Sequence, residues 1–174
     1  SGHIRHLLQE LDLKRDFKPE IIFIDYLNIC ASFRVRPGSN VNTYTYIKSI
    51  AEELRGLAVE FDVPIMSATQ TNRTGFTSTD VGLEDTSESF GLPATADLML
   101  AIVAKEDNGG QLMFKQLKNR YSDPTINAKF MLGMNKNRMR LESITQSQQP
   151  VLVNGGSDTK KSYGLFLLSY TKTP

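Results

Sequence analysis

Four places in this sequence combine residue types and spacing that can do chemistry. The run Ile21-Ile22-Phe23-Ile24 stops at Asp25. An apolar strand of a parallel sheet that ends in an acid puts a carboxylate at the carboxyl edge of the sheet, where ligands bind in open α/β folds. A carboxylate there can hold Mg²⁺ beside a nucleotide phosphate, or it can simply cap a turn. Pro64-Ile65-Met66-Ser67-Ala68 leads in the same way to Thr69-Gln70. A neutral amide at a sheet edge can donate to a γ-phosphate or orient a water, and on a bare loop it is only solvated. Lys118-Asn119-Arg120 follows the alternating stretch Gln111 to Leu117. Two cations one residue apart on a strand point to the same side. An arginine held out there suits a finger on a transferring phosphoryl group, although charge on an edge also protects against aggregation.

The fourth place is a polar, glycine-containing stretch with Arg73, Thr74, Gly75 and, further on, Glu88, Ser89 and Gly91. Backbone N–H groups and hydroxyls of this kind suit phosphates without reading bases. A helix starting near Thr86 would aim its N-terminus at an anion. Glu84, Asp85 and Glu88 work against a purely electrostatic groove, and an ordinary surface loop is the competing reading.

The elements that must position these groups are legible as periodicities. Ile4, Leu7, Leu8 and Leu11 give a helix over His3 to Lys14, closed at Phe17-Lys18-Pro19 because proline disfavours helix before it. Ile21–Ile24 is short, apolar and β-branched, the pattern of a parallel strand buried on both faces. Thr43 to Phe61 has helical spacing, and Pro64–Ala68 is a second buried strand. Strand, helix, strand makes a right-handed βαβ unit. Thr69 to Leu83 is longer than most connections, so it is functional or mobile. Glu84 to Leu92 has room for a short helix, and Asp97–Val103 is a third strand. After Gly109-Gly110 come alternating strands near Gln111–Leu117, Ala128–Leu132 and Met139–Glu142. From Thr145 to Lys161 the Gln, Ser, Gly and Asn content reads as a linker or flexible tail, with a last strand at Gly164 to Tyr170 as an option. The fold class is α/β, with a parallel sheet flanked by helices and extended by antiparallel strands.

Bulk properties narrow the classes. At 174 residues one domain is the default. The charge of +1 confines any nucleic-acid binding to local patches. One cysteine, Cys30, excludes an internal disulfide framework and suits a reducing cytoplasm. It has no histidine nearby for a catalytic dyad, and His3 and His6 read as solvent-facing. No apolar run nears a membrane span. Ser1-Gly2-His3 carries no methionine and no signal-peptide core, which reads as an added stretch before an internal start, and so as a fragment. There is no zinc spacing, no G-x-S-x-G and no G-x-G-x-x-G.

The order and spacing of these signals resemble the DnaB-type replicative helicases over about Lys18 to Leu141. Ile21 to Leu27 and Val63 to Arg73 are similar to two consecutive motifs of that family. Leu83 to Ser89 running to Ala96-Asp97-Leu98-Met99 is similar to the next, and Lys118-Asn119-Arg120 looks like its Lys-x-Arg finger. Asp25 to Ser32 looks closest in style to the helicases of large tailed phages. The resemblance implies a RecA-like core, a homo-hexameric ring on single-stranded DNA, translocation driven by hydrolysis of ATP or another NTP with Mg²⁺, and a primase and a helicase loader as partners. By this resemblance Asp25 is the Mg²⁺-associated acid and Gln70 the γ-phosphate sensor. Lys118 and Arg120 are donated to the neighbouring subunit's nucleotide. Arg73 to Ser78 and Glu88 to Gly91 are DNA-facing loops.

No G-x-x-x-x-G-K-[ST] occurs in the chain, and the family's phosphate loop and catalytic glutamate lie upstream of the motifs present. The chain thus reads as the C-terminal part of a motor domain, residues 1–144, with residues 145–174 as a tail, and as inactive alone. Two other readings compete. A PIN-like metal-dependent nuclease would use converging carboxylates from Asp25, Glu84, Asp85, Glu88 and Asp97, leaving Gln70 and the cation pair without a role. A RecA-like assembly module would recruit partners without catalysis.

Overall fold

A computed structural model describes residues 1–36, 41–70, 91–105, 110–123, 125–126 and 128–145, with the backbone of 160–168. The chain divides into two compact units.

The first unit contains helix α1 (Gly2–Arg15), strand β1 (Ile22–Ile24), a 3₁₀ turn (Leu27–Ile29), helix α2 (Thr43–Phe61), strand β2 (Ile65–Gln70) up to Ala68, and the short helix α3 (Gly91–Thr95). α2 is the core helix. Asn42 caps it, its side-chain oxygen accepting from the Thr45 N–H at 2.8 Å, a contact that satisfies one of the orphan donors of the first turn. Ile47, Ile50, Ala51, Leu54, Leu57 and Ala58 recur at helical spacing and are all buried. Removing any one large member costs about 2–5 kcal/mol through lost burial and a residual cavity. α2 ends where Asp62 turns left-handed, at φ 52°. α1 ends in the same way at Asp16, φ 50°, rather than through Pro19; aspartate tolerates this conformation better than most residues.

β1 and β2 pair in parallel, with Ile22 opposite Ile65 and Ile24 opposite Ser67. The expected βαβ unit is therefore present. The expectation that β1 is buried on both faces is corrected: Phe23 is 69% exposed and Ile21 41%. β1 is only three residues long, and the face that carries Phe23 is uncovered among the described residues. β2 runs two residues beyond Ala68, so Gln70 is its last residue rather than part of a loop. α1 buries only Leu8, and His3 and His6 are exposed as expected.

The second unit is antiparallel. β3 (Leu98–Lys105), β4 (Gln111–Asn119), β5 (Lys129–Asn135) and β6 (Arg140–Ser143) pair in chain order. Gly110, at φ 87°, stands directly before β4 in a conformation that only glycine adopts without cost. Phe114 and Phe130 stand opposite one another and stack with centroids 5.3 Å apart, the kind of cross-strand pair that fixes register. Ala101, Val103, Met113 and Met131 form the core, with Leu117 and Ile144 packed against it. A last strand, β7 (Lys160–Leu168), takes in the final two residues of the stretch read as linker.

Candidate nucleotide-site and finger residues

Asp25 follows β1 directly and is exposed. Its approach is fixed by two hydrogen bonds to the β2 segment. The Ile22 N–H donates to the Pro64 carbonyl at 3.0 Å. The Ser67 hydroxyl donates to the Ile24 carbonyl at 2.9 Å. Beyond Asp25 the chain closes at once into the 3₁₀ turn, anchored by Leu27, which is 2% exposed. Because β1 and β2 are parallel, their carboxyl ends share one edge. Ser67 and Thr69 point into the core at 2% and 3% exposure. The alternation then turns the exposed Gln70 side chain the other way at the end of β2. Asp25 is thus an exposed carboxylate just past β1 in the first unit, and Gln70 an exposed amide at the end of β2 in the second.

The loop after the 3₁₀ turn is organised by a residue that the sequence reading missed. Glu53, on α2, accepts from the Ser32 hydroxyl at 2.6 Å, the Phe33 N–H at 2.8 Å and the Arg34 N–H at 3.1 Å. It also accepts from the Ser1 hydroxyl. Its side chain is 8% exposed. Burial pushes its carboxyl up, but the hydrogen bonds from Phe33, Ser1, Ser32 and Arg34 outweigh this and bring it down to about 2. Arg34 adds a 2.8 Å ion pair to Glu52. The sequence signal is only a glutamate on a helix among other glutamates, because three of its partners lie 19 to 21 residues away in a stretch without periodicity and Ser1 lies 52 away.

Cys30 is half-buried, and its Sγ faces the Tyr26 carbonyl at 3.8 Å. Burial raises its thiol pKa, which lowers the share of reactive thiolate.

Asp97 is 3% exposed and accepts from Arg55 Nη1 at 2.8 Å, while the same nitrogen reaches the Thr95 carbonyl at 2.7 Å. It therefore belongs to the packing of α2 and is not an open metal ligand. Among the described residues no cluster of histidine, cysteine, aspartate or glutamate can hold a metal. Mg²⁺ with a nucleotide asks less, because it usually keeps waters and phosphates and needs one or two carboxylates. The lone exposed Asp25 fits that requirement.

Arg73, Thr74, Gly75, Glu88 and Ser89, like Glu84 and Asp85, lie outside the described residues. Gly91 is described and buried at the start of α3. A Cβ there would stand 2.8 Å from the Lys48 Cβ, so glycine permits the close approach of α3 to α2.

Lys118 and Arg120 require a correction. Met99 pairs with Lys118 but Leu100 with Gln116, so Leu117 is an extra residue, a β-bulge in β4. β4 ends at Asn119. Arg120 is exposed in the bend beyond it, and simple strand alternation with Lys118 does not apply.

The sequence of this chain matches the profile of the DnaB-like helicase C terminal domain over residues 3–140. The chain belongs to that family. It is 45% identical over 156 residues to the DnaB-like replicative helicase of Enterobacteria phage T4, which covers 88% of this chain and 33% of that protein. It is 33% identical over 96 residues to the "Probable plasmid replicative DNA helicase" of Chlamydia muridarum (strain MoPn / Nigg), covering 54% of this chain and 20% of that one. The chain spans a third or less of the length of these curated relatives.

Among solved structures, a DnaB-like replicative helicase studied for its interactions with primase superposes with a TM-score of 0.64 at 19% identity, over 82% of this chain and 36% of that one. A solved ATPase domain gives a TM-score of 0.64 at 18% identity, over 82% and 51%. The fold of this DnaB-family segment is thus the RecA-like fold of helicase ATPase domains. Family membership replaces the nuclease reading, which the engagement of Asp97 with Arg55 already disfavoured. Among the described residues no helix is long and apolar enough to cross a membrane.

Proposed function

We propose that this chain is the C-terminal part of the ATPase motor of a ring-shaped replicative DNA helicase. That motor couples NTP hydrolysis to movement along single-stranded DNA and to duplex unwinding. The observation that carries this reading is the 45% identity to a DnaB-like replicative helicase across 88% of the chain. The ends of β1 and β2 support it with groups suited to nucleotide chemistry.

In this reading the Asp25 carboxylate holds Mg²⁺, directly or through water, beside the nucleotide phosphates. Bound Mg²⁺ supplies charge neutralisation for phosphoryl transfer. The Gln70 amide donates to the γ-phosphate or orients the attacking water, and it links that event to the segment after β2. Arg73, Thr74, Gly75, Glu88 and Ser89 belong to the DNA-facing segment, and buried Gly91 fits an anchor at its far end. Lys118 and Arg120 reach the nucleotide of a neighbouring subunit, so the site is complete only in a homo-hexamer. Primase and a helicase loader are the proposed partners, and the host-cell cytoplasm the proposed compartment. The phosphate loop, its lysine and the catalytic glutamate come from another part of the longer protein.

The test compares the isolated 174-residue chain with the full-length protein. The isolated chain is expected to bind ATP weakly and to show no turnover, while the full-length protein hydrolyses ATP and Asp25→Asn abolishes this. Clear Mg²⁺-dependent hydrolysis by the isolated chain, or wild-type hydrolysis by full-length Asp25→Asn, contradicts the reading. Nucleic-acid cleavage with Mn²⁺ contradicts it in a different direction.

A further inference from the structure

The bend that carries Arg120 is built around one side chain. Asn119 closes β4, and its side-chain amide bonds both to the turn and to the strand. Its Oδ1 accepts from the Tyr121 N–H at 2.9 Å and from the Ser122 N–H at 3.2 Å. Its Nδ2 donates to the Ser122 hydroxyl at 2.8 Å and to Gln116 Oε1 at 3.0 Å. The first pair of bonds is an Asx turn, in which a short side chain replaces a backbone partner and fixes the next two residues. Of the second pair, the bond to Ser122 stays within the turn and the bond to Gln116 ties it back to the body of the strand. The Gln116 backbone N–H donates to the Ala128 carbonyl at 2.8 Å, and its side-chain Nε2 donates to the Ile126 carbonyl at 3.5 Å.

The β-bulge lies between these anchors. Leu117 is the extra residue, and its side chain packs on the core of the second unit. Bulges re-aim side chains and end pairing, and they occur often beside active sites. Beyond the bend Asp123 makes a second turn of the same kind, accepting from the Thr125 N–H at 2.8 Å and the Thr125 hydroxyl at 2.6 Å. An exposed turn that a solvated edge would leave free to move is thus bonded at consecutive points.

We infer that Asn119 is a positioning residue: with the Leu117 bulge it sets the direction in which Arg120 leaves β4, and so sets the finger's contribution to hydrolysis. This rests on the proposed role of Arg120 in the neighbouring subunit's site. The chemistry requires such a device. A finger acts on charge that develops in the transition state, and a guanidinium that must first be ordered gives up part of that stabilisation. A displacement of about 1 Å from productive geometry is worth up to ~100-fold in rate.

The experiment uses the full-length protein with Asn119→Ala, Asn119→Ser, Arg120→Ala and the double variant Asn119→Ala/Arg120→Ala. ATP hydrolysis, the KM for ATP and hexamer assembly are measured for each. Asn119→Ala is expected to lower kcat about 10- to 100-fold with KM nearly unchanged. Asn119→Ser is expected to keep part of the rate, because a hydroxyl can still accept from the N–H two residues on. The double variant is expected to be no slower than Arg120→Ala alone, since Asn119 acts only through that side chain.

Three results overturn the inference. If Arg120→Ala collapses hydrolysis and Asn119→Ala hydrolyses at the wild-type rate, the positioning role is wrong while the finger stands. If the two effects multiply in the double variant, Asn119 acts somewhere else. If Arg120→Ala itself hydrolyses at the wild-type rate, the finger is wrong and the positioning role falls with it. Should Asn119→Ala fail to assemble, Asn119→Ser and its double variant with Arg120→Ala carry the same comparison.

Discussion

The Ser67 hydroxyl donates to the Ile24 carbonyl at 2.9 Å, so a buried side chain of β2 holds the peptide that delivers Asp25. Ser67 is 2% exposed, and water cannot take its place without opening the strands. Ser67→Ala is expected to cost about 1–2 kcal/mol, the usual penalty for leaving a buried acceptor without its donor. Urea unfolding reads this as a lower midpoint at an unchanged slope. An unchanged midpoint would show that the ladder alone positions the end of β1.

Arg55 and Asp97 fasten α2 to the end of α3. Asp97 is 5% exposed at the side chain and Arg55 31%. Truncating one partner of a buried pair leaves an uncompensated charge. Because Arg55 keeps contact with solvent, Arg55→Met is expected to cost about 2–3 kcal/mol, below the range for fully buried pairs. Adding Asp97→Asn should recover part of that loss, because the neutral amide no longer needs a cation. A double variant that is simply the sum of the two single ones argues against direct coupling.

Glu53 makes stability depend on acid. Its carboxyl titrates at about 2 in the folded chain against 4.5 ordinarily. The unfolded chain therefore takes up the proton first as pH falls. The stabilisation is fully present above the ordinary value and drains away between roughly pH 5 and pH 2, amounting to about 3 kcal/mol in all. Glu53→Gln is expected to be less stable at pH 7 and to show a shallower acid limb. Parallel pH profiles for the two proteins, measured as urea midpoints from pH 7 to pH 2, would contradict this.

The parts of this molecule that could be read beforehand are those in which one periodicity sets the structure. The apolar stripe of α2 gave its two ends correctly, and the short apolar runs before Asp25 and Gln70 gave two neighbouring parallel strands. The misreadings have other causes. Phe23 is exposed although its run looks like a two-sided core strand, because burial depends on what covers a face and not on the strand itself. Pro19 looked like the stop for α1, but Asp16 had already turned left-handed. The Leu117 bulge is invisible in an alternating pattern, since a single inserted residue shows only in the partner's register. Asn119 and Glu53 act through hydrogen bonds that composition and period do not encode.

The central claim is that a nucleotide site is shared between subunits, with Asp25 from one and Arg120 from the next. Mixed rings of two inactive variants of the full-length protein test it most directly. An Asp25→Asn subunit still carries Arg120 to lend, and an Arg120→Ala subunit still carries Asp25 to hold Mg²⁺ with the nucleotide. Mixing the two is expected to restore ATP hydrolysis at the interfaces where an intact Asp25 meets an intact Arg120, although each variant alone is inactive. If hexamers demonstrably exchange subunits and no mixture recovers hydrolysis, the two residues do not act across a subunit boundary and the account is wrong.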